Sequence, residues 1–368
     1  MDAWRLGKRT DVRQAVICVE KGAAPEPWTK TPTCARGATS SLVLPEVMQA
    51  AAIDRFGPPS VLTIHELPVP RPSPREVLIA LEWAGVGVWD ASIRDGSWSA
   101  GGKPKFPIVP GVDGAGIVVA AGARVRRVRV GDRVYAYEFG NPKGGFYAQF
   151  AVARADHVDR VPPRLATREA AAVVTTGLTA MQGLSLLRLR RGSTVLIFGA
   201  SGAVGTVAVQ IAKRSGATVL ATASGRAAAR VVRRLGADRV ADARGDEAVD
   251  RLRRAAPKGL DAVLALAGGE ELERCLDLLR RGGRVVYPNG IEPEPKRRPG
   301  ITISSFDAVA DPRQFRRFRQ YAGDRRMQVP VAGVYPLSQA ARAHRRLAEG
   351  HIIGRIVLRV PRARIGGR

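Results

Sequence analysis

Cysteine, aromatic residues and acidic residues are all scarce in this sequence of 368 residues. Only three cysteines occur, Cys18, Cys34 and Cys275, and no two of them form a CxxC pair. This spacing argues against a disulfide framework and against a structural zinc site, and it is typical of a reducing compartment, so we expect a cytoplasmic protein. No apolar stretch approaches the length that spans a bilayer, and we expect no membrane partner.

Basic residues outnumber acidic ones by 59 to 33, which gives a formal net charge of +26. A charge of this size often indicates a nucleic-acid-binding protein. Here the basic residues are mostly arginines spread along the whole chain, and no nucleic-acid-binding module accompanies them. We therefore expect no dedicated nucleic-acid partner, and we keep a nucleic-acid-binding relative without catalytic activity only as an alternative.

A glycine-rich turn between a strand and a helix is the strongest signal that the sequence does contain. Residues 195–198 are apolar without alternation, as in a parallel strand buried on both faces. The turn GASGAVG (199–205) follows, and apolar residues then recur at helical spacing. Glycine lets a backbone approach a pyrophosphate, and a helix N-terminus favours its negative charge. The turn therefore predicts a dinucleotide site formed by Ala200, Ser201, Gly202, Ala203 and Val204.

The residues after the second strand of this unit predict which dinucleotide binds. Proteins that bind NAD usually place an acid about 20 residues after the turn, and none occurs between Gly199 and Ala237. Ser224, Arg226 and Arg230 follow the strand instead, where hydroxyl and guanidinium groups can bind a 2′-phosphate. We therefore predict NADP as the cofactor. The alternative is that both arginines belong only to the arginine-rich surface.

The remaining pattern predicts an α/β protein with two domains. Residues 1–47 show no sustained periodicity and are expected to be a disordered or weakly ordered leader. Short strands between Pro and Gly turns in 48–165 indicate a small β-barrel domain. Helices and strands alternate in 166–325, as in a doubly wound parallel sheet that binds a cofactor. We expect 326–361 to complete the barrel domain, and 362–368 to form a basic tail.

These stretches together resemble the medium-chain dehydrogenase/reductase superfamily, and within it the zinc-free quinone oxidoreductase branch. The resemblance covers about Met48 to Val360. It depends on PGVDGAGIV (110–118), VRVGDRVYA (128–136), GLTA (177–180), GASGAVG (199–205) and EGHIIGRIVL (349–358). It implies a GroES-like barrel joined to a Rossmann domain, with the ligand cleft between them.

The resemblance also implies that no metal is used. Zinc-dependent members of the superfamily carry a Cys and a His-Glu pair as catalytic ligands. Here Gly87 stands at the position of the Cys, and Val112 and Asp113 stand at those of the His and Glu. Glycine and valine side chains offer zinc no donor atom. We therefore predict that the metal site is missing.

The activity that the resemblance implies is hydride transfer from NADPH to a quinone or an α,β-unsaturated carbonyl compound. The alternatives are an NADPH-binding relative without activity and a zinc-independent alcohol or carbonyl reductase. The family also implies a homodimer, in which the β-prone segment 301–306 pairs with its copy. The further cofactor-binding residues that it implies are Thr175, Thr179, Ala267, Gly268, Asn289 and Arg355.

The substrate side departs from the quinone-reductase pattern. The segment GVGVWDASIRDG has Gly87 and Ser92 where that branch often has Asn and Tyr, which weakens the case for a quinone. Ser92 and Tyr147 are the candidate catalytic residues, and Tyr147 is a candidate proton donor. Trp89 and Trp98 either shape a flat apolar pocket or pack in a core.

Overall fold

The computed structural model of the protein contains two large sheets, and it describes residues 42–98, 103–242, 247–324 and 327–367. The helices are α1 (Val88–Asp95), α2 (Thr167–Leu186), α3 (Ala203–Arg214), α4 (Arg226–Arg234), α5 (Ala248–Ala255), α6 (Glu270–Leu276), α7 (Pro312–Asp324) and α8 (Ala340–Ala348). The strands are β1 (Leu42–Val43), β2 (Val47–Ala52), β3 (Thr63–Pro68), β4 (Glu76–Val86), β5 (Asp113–Ala121), β6 (Arg133–Tyr137), β7 (Phe150–Arg154), β8 (Val158–Arg160), β9 (Thr194–Phe198), β10 (Thr218–Thr222), β11 (Arg239–Ala241), β12 (Leu260–Ala265), β13 (Leu279–Pro288), β14 (Thr302–Phe306), β15 (Val331–Pro336), β16 (Arg355–Arg359) and β17 (Gly366–Gly367).

The first sheet combines strands from two distant parts of the chain. Its seven strands follow the order β15-β16-β4-β5-β6-β8, and β7 pairs with β4. β16 runs antiparallel to β4 and places Ile356 opposite Val86. The inward side chains of these strands are apolar and buried, because each strand covers one core with one face. The strands near the end of the chain therefore lie in the same sheet as residues 76–160.

The second sheet is entirely parallel and follows the order β11-β10-β9-β12-β13-β14. Val195, Leu196 and Ile197 of the central strand β9 have no exposed surface, as expected of a strand covered by helices on both faces. The strand order reverses next to β9, and ligands of such sheets bind at the carboxyl ends of the strands near this reversal. The predicted fold class, a GroES-like barrel joined to a doubly wound parallel sheet, is confirmed.

Helix α2 joins the two sheets into one hydrophobic core. Its apolar residues are buried over most of its length, and they share a core with β5 and β6 on one side and with β9 and α3 on the other. The ring of Tyr135 packs edge-on against Phe315 of α7, with ring centroids 5.4 Å apart. A Cβ at Gly177 would collide with the ring of Phe318, so glycine lets α7 approach α2 closely. The two domains are therefore held together by a packed interface.

Strand β14 forms one edge of the parallel sheet, and several of its side chains are exposed. It covers the β-prone segment that the sequence suggests for pairing between two copies of the chain. That pairing stays a prediction.

Two expectations drawn from composition concern cysteines and membranes. Cys275 is a free, buried residue of α6, while Cys18 and Cys34 lie outside the described residues. In the described ranges, no helix is both long and apolar enough to span a membrane.

The two ends of the described chain form a short antiparallel strand pair. The antiparallel pair β1–β17 places Leu42 opposite Gly367 and Val43 opposite Gly366. Leu44 and Ile365 pack against the barrel core. The ends of the described chain thus pair with each other and contact the barrel core, while the predicted domain boundaries stay predictions.

Truncated chains will measure how much the β1–β17 pair contributes to the stability of the protein. We expect a chain that begins at Met48 to melt about 1–2 °C below one that begins at Leu42, because it loses β1 and the half-buried Leu44, at about 1 kcal/mol. Calorimetry measures both melting temperatures. A chain that ends at Val360 should lose a similar amount, and the two losses should not add. Equal melting temperatures for the chains that begin at Leu42 and at Met48 would show that β1 does not stabilise the protein.

Candidate functional site

The glycine turn lies between β9 and α3, at the carboxyl edge of the parallel sheet. Gly199 has φ +81°, which favours glycine. A Cβ at Gly205 would lie 2.5 Å from the carbonyl oxygen of Gly199, so glycine is needed for α3 to pack on the strand. A Cβ at Gly202 would meet only that same oxygen, at 3.5 Å. The outer side of the turn at Gly202 is therefore open to a ligand.

Thr222, which the sequence analysis missed, holds the turn in place. Its hydroxyl accepts a hydrogen bond from the Gly199 N–H at 2.9 Å, and its carbonyl accepts one from the Ala200 N–H at 3.0 Å. Thr222 is the last residue of β10, which pairs with β9 in the sheet. The one sequence feature that could have indicated this role is a threonine at the end of the second strand. Its role follows only from the strand order.

The turn also contacts the barrel domain directly. The Gly354 N–H donates to the carbonyl of Ser201 at 2.9 Å, and Gly354 forms an isolated parallel bridge with Gly202. Gly354 has φ +88° and lies against Pro330, where a side chain would not fit. Arg355 follows immediately, so this bridge brings its backbone close to the predicted cofactor turn.

Arg355 and Asp113 form a buried ion pair at this junction. Arg355 Nη2 donates to both carboxylate oxygens of Asp113, at 2.9 and 3.1 Å. The side chains are 7% and 0% exposed. A Cβ at Gly85 would overlap the Asp113 carboxylate, and one at Gly87 would lie 3.2 Å from Arg355 Nη2. Arg355 is therefore a buried cation that two glycines accommodate.

A second carboxylate, Asp90, lies beside this pair. Its oxygens accept hydrogen bonds from the N–H groups of Gly87 at 2.7 Å and Val112 at 3.0 Å. Burial raises the pKa of the Asp90 carboxyl to about 7, and the charge of Asp113 acts in the same direction. Burial also raises the pKa of Asp113, while the Arg355 guanidinium opposes that shift. Two carboxyl groups thus share one buried guanidinium.

The polar groups around the turn fit a dinucleotide. Arg355 Nε is buried and has no hydrogen-bond partner among the described residues, and the buried Thr175 hydroxyl lies close to the Asp113 carboxylate. The first N–H groups of α3 point out of the helix end, where they favour an anion. The Thr179 hydroxyl, one turn after Thr175, donates to the Thr175 carbonyl at 2.9 Å. Unpaired donors beside an open glycine turn match the acceptor groups of a pyrophosphate, a ribose or a carboxamide.

Three more predicted residues lie at the carboxyl ends of neighbouring strands. Ala267 and Gly268 follow β12, and a Cβ at Gly268 would overlap the Pro293 carbonyl. Asn289 follows β13. Its side-chain amide donates to Asp307 at 2.8 Å, and its N–H donates to the Phe306 carbonyl at 3.0 Å. These loops therefore border the same edge of the sheet as the glycine turn.

The residues predicted to bind a 2′-phosphate surround the start of α4. Gly225 has φ +84°, and Arg226 is the first residue of the helix. Arg226 and Arg230 are exposed, and Ser224 is half-buried. The Gly225 N–H donates to the Asp242 carboxylate at 3.1 Å. This acid could not be predicted from the sequence. Asp242 follows β11, and β11 becomes the neighbour of β10 only in the folded sheet.

Aromatic rings line the barrel side of the junction. Trp89 packs edge-on against Phe139, with centroids 5.4 Å apart, and Phe139 lies 4.3 Å from Trp98. A Cβ at Gly290, in the loop after β13, would lie 3.5 Å from the Trp89 ring. Trp89 therefore reaches across to the nucleotide domain. Ser92 is on the Trp89 face of α1, three residues later, and its catalytic role stays a prediction.

Tyr147, the predicted proton donor, lies beneath this junction, where the charges of Asp90, Asp113 and Arg355 act on its hydroxyl, and its catalytic role stays a prediction. Its side chain has no exposed surface, and its hydroxyl lies 3.0 Å from His344 Nε2. Arg94 Nη1 lies 3.2 Å from His344 Nδ1. Burial, with the charge of Arg94, lowers the pKa of His344 to about 3, so the imidazole is neutral. Tyr147 is thus enclosed in a buried hydrogen-bond network of the barrel.

The residues at the expected metal positions do not fit zinc. Gly87 has no side chain, Val112 is apolar and buried, and the Asp113 carboxylate is already bound by Arg355. Within the described ranges, no three His, Cys, Asp or Glu side chains are grouped so that they could hold a metal ion. The group that lies beside Gly87 is the guanidinium of Arg355.

The pKa of Asp90 predicts a pH-dependent stability. The folded protein keeps a proton on Asp90 between about pH 4 and about pH 7, whereas the unfolded chain releases it. The free energy of unfolding should therefore fall as the pH rises through this window, by about 1.4 kcal/mol per pH unit at most. Urea unfolding at several pH values measures the slope. Asp90→Asn should reduce it.

Asp156→Asn is the matched control, because Asp156 is exposed in the same domain. This variant should keep the slope of the original protein. A slope that Asp90→Asn leaves unchanged would show that Asp90 does not bind the proton.

Family comparisons agree with this arrangement of domains. Residues 73–163 match the family model described as alcohol dehydrogenase GroES-like domain. Residues 235–358 match the model described as zinc-binding dehydrogenase, although the donor positions described above do not fit that metal.

Individual relatives agree over most of the chain. The quinone oxidoreductase of Mus musculus is 33% identical over 322 residues, which covers 83% of this chain and 95% of the relative. The structure of an NAD-dependent alcohol dehydrogenase superposes with a TM-score of 0.79 at 30% identity, covering 85% of this chain and 100% of that one. A mycobacterial protein complexed with NADPH gives a TM-score of 0.75 at 28% identity, covering 85% and 99%. The chain therefore belongs to the medium-chain dehydrogenase/reductase superfamily, in its quinone oxidoreductase-like branch.

Proposed function

We propose that the protein is an NADPH-dependent oxidoreductase that transfers hydride to a quinone or an α,β-unsaturated carbonyl compound without zinc. The observation that carries this proposal is the buried Arg355–Asp113 pair beside an open glycine turn. It combines unpaired donors for a dinucleotide with a set of side chains that does not fit a metal. The likeness to mouse quinone oxidoreductase supports the same reaction class.

The protein's part in this reaction is binding and alignment. Reduced nicotinamide, when bound, supplies the hydride. The N–H groups at Ala203 and Val204 are available to the pyrophosphate, and Arg355 Nε to the cofactor's acceptor groups. Trp89 and Phe139 offer apolar ring faces to a flat acceptor and exclude water. A conjugated carbonyl compound fits this setting, because it accepts hydride at carbon and is itself planar.

A turnover screen tests the proposed function. NADPH oxidation is followed at 340 nm with quinones, enals, enones and simple alcohols or aldehydes. We expect turnover with at least one conjugated acceptor, no stoichiometric zinc by elemental analysis, and unchanged rates after treatment with a chelator. NADPH binding without turnover of any acceptor would instead favour a relative without activity. Turnover of saturated aldehydes alone would favour a carbonyl reductase.

The preference for NADPH is proposed from the charges at the start of α4. Arg226 and Arg230 are exposed, and each can bind a 2′-phosphate, whereas Asp242 beside Gly225 brings one negative charge to the same edge. A charge-assisted hydrogen bond contributes about 1.5–3 kcal/mol, and solvent screening brings exposed pairs to the lower end. The two guanidinium groups outweigh the single carboxylate in number, so we infer a net attraction for the phosphate.

Arg226→Ala should raise the KM for NADPH about tenfold and leave that for NADH nearly unchanged, because only NADPH has the phosphate. Steady-state kinetics with both cofactors measures the two constants. Arg233→Ala is the control, since this exposed arginine lies in the last turn of the same helix. Equal losses for the two cofactors would place Arg226 away from the phosphate.

A further inference from the structure

Tyr137 is a polar residue of the junction that sequence analysis did not single out. It is the last residue of β6, where alternate side chains face opposite sides of the sheet. Val134 and Ala136 belong to the barrel core, whereas Tyr135 and Tyr137 pack on the side of α2 and the nucleotide domain. Tyr135 has no exposed surface, and Tyr137 is half-buried. The strand thus ends with a phenol at the boundary between the two domains.

The neighbours of Tyr137 come from both domains. The strand register places it directly opposite Asp113, the partner of Arg355. The charges of Asp113, Asp90 and Arg355 act on its hydroxyl from the barrel, and that of Asp307 acts from the loop after β14. Asp307 also holds Asn289, a predicted cofactor residue. The phenol therefore lies between the buried ion pair and the loops at the carboxyl edge of the parallel sheet.

Like other tyrosine hydroxyls, that of Tyr137 carries a proton at neutral pH and can donate it. Burial, and then the negative charges of Asp113 and Asp307, raise the pKa of Tyr137 to about 12. The hydroxyl therefore keeps its proton at neutral pH. Other candidates at the junction are less suitable: Tyr147 is enclosed with His344, and the Tyr135 hydroxyl is sealed in the core without a partner among the described residues.

We propose that the Tyr137 hydroxyl donates a hydrogen bond to the carbonyl oxygen of the acceptor and gives that oxygen its proton. This inference rests on the proposed function. Hydride adds two electrons to the β-carbon, the C=C pair shifts to the α-carbon–carbonyl-carbon bond, and the carbonyl pair takes the Tyr137 proton, which yields an enol. The phenolate regains a proton from water. The enol then tautomerises to the saturated ketone, so the net change is one hydride and one proton.

The test compares Tyr137→Phe with Tyr135→Phe, which removes a hydroxyl two residues earlier on the same strand. With the enone benzalacetone as acceptor, Tyr137→Phe should lower kcat about a hundredfold, as expected when a positioned acid is lost. The Kd for NADPH, measured by its fluorescence, should stay within about twofold. Tyr135→Phe should leave both quantities near those of the original protein, because its hydroxyl has no partner to lose.

A binding measurement without turnover provides a second readout. Benzylacetone, the saturated counterpart, keeps the carbonyl but accepts no hydride. We expect Tyr137→Phe to weaken its binding about tenfold, followed by quenching of tryptophan fluorescence, and Tyr135→Phe to leave it unchanged. This titration remains informative if the original protein reduces no acceptor, so failure of the proposed function and failure of the Tyr137 assignment are distinguishable.

Three results would overturn the assignment. Equal kcat in the original protein and Tyr137→Phe would exclude a proton donor at this position. A raised Kd for NADPH with unchanged benzylacetone binding would instead place the phenol at the cofactor. Equal benzylacetone binding in all three proteins would exclude contact with the carbonyl. Melting temperatures of both variants within a few degrees of the original would confirm that a loss of kcat is not a loss of fold.

Discussion

The buried ion pair between Asp113 and Arg355 is the interaction on which the rest of the site depends. It joins β5 to β16, which are far apart in the chain, at the point where Gly354 meets the carbonyl of Ser201. A buried charge that loses its partner costs about 3–5 kcal/mol, so each member requires the other. Glycine at positions 85 and 87 leaves room for the pair, because a side chain at either position would press on it.

This pair also sets the electrostatics of its surroundings. One guanidinium faces two carboxyl groups, and burial adds to their mutual repulsion, so the pKa of Asp90 rises to about 7. The same negative charges help to keep the proton on Tyr137. Next to them, Arg355 Nε remains as a donor without a partner among the described residues. A fixed cation thus lies beside Gly87, close to the junction of the two domains.

The features that could be predicted from sequence are those that local pattern encodes. The glycine turn, its flanking strand and helix, and the parallel sheet follow from spacing and apolar periodicity, which act over a few residues. The roles of Thr222 and Asp242 could not be predicted, because they depend on which strands are neighbours in the sheet. The β1–β17 pair could not be predicted for a related reason: residues 42–43 carry no periodic signal, and their partners are 323 or more residues away.

The sequence by itself determined the two-domain α/β class, the dinucleotide turn and the missing metal donors, because each needs only residue type and spacing. Tertiary structure decided which polar groups are hydrogen-bonded inside the protein and which lie at the junction of the two domains. Tyr147 is fully buried with its hydroxyl next to His344, whereas Tyr137 is half-buried at the junction of the domains. Burial and long-range pairing govern the pKa and the partners of a side chain, and both arise only when strands distant in the chain are brought together.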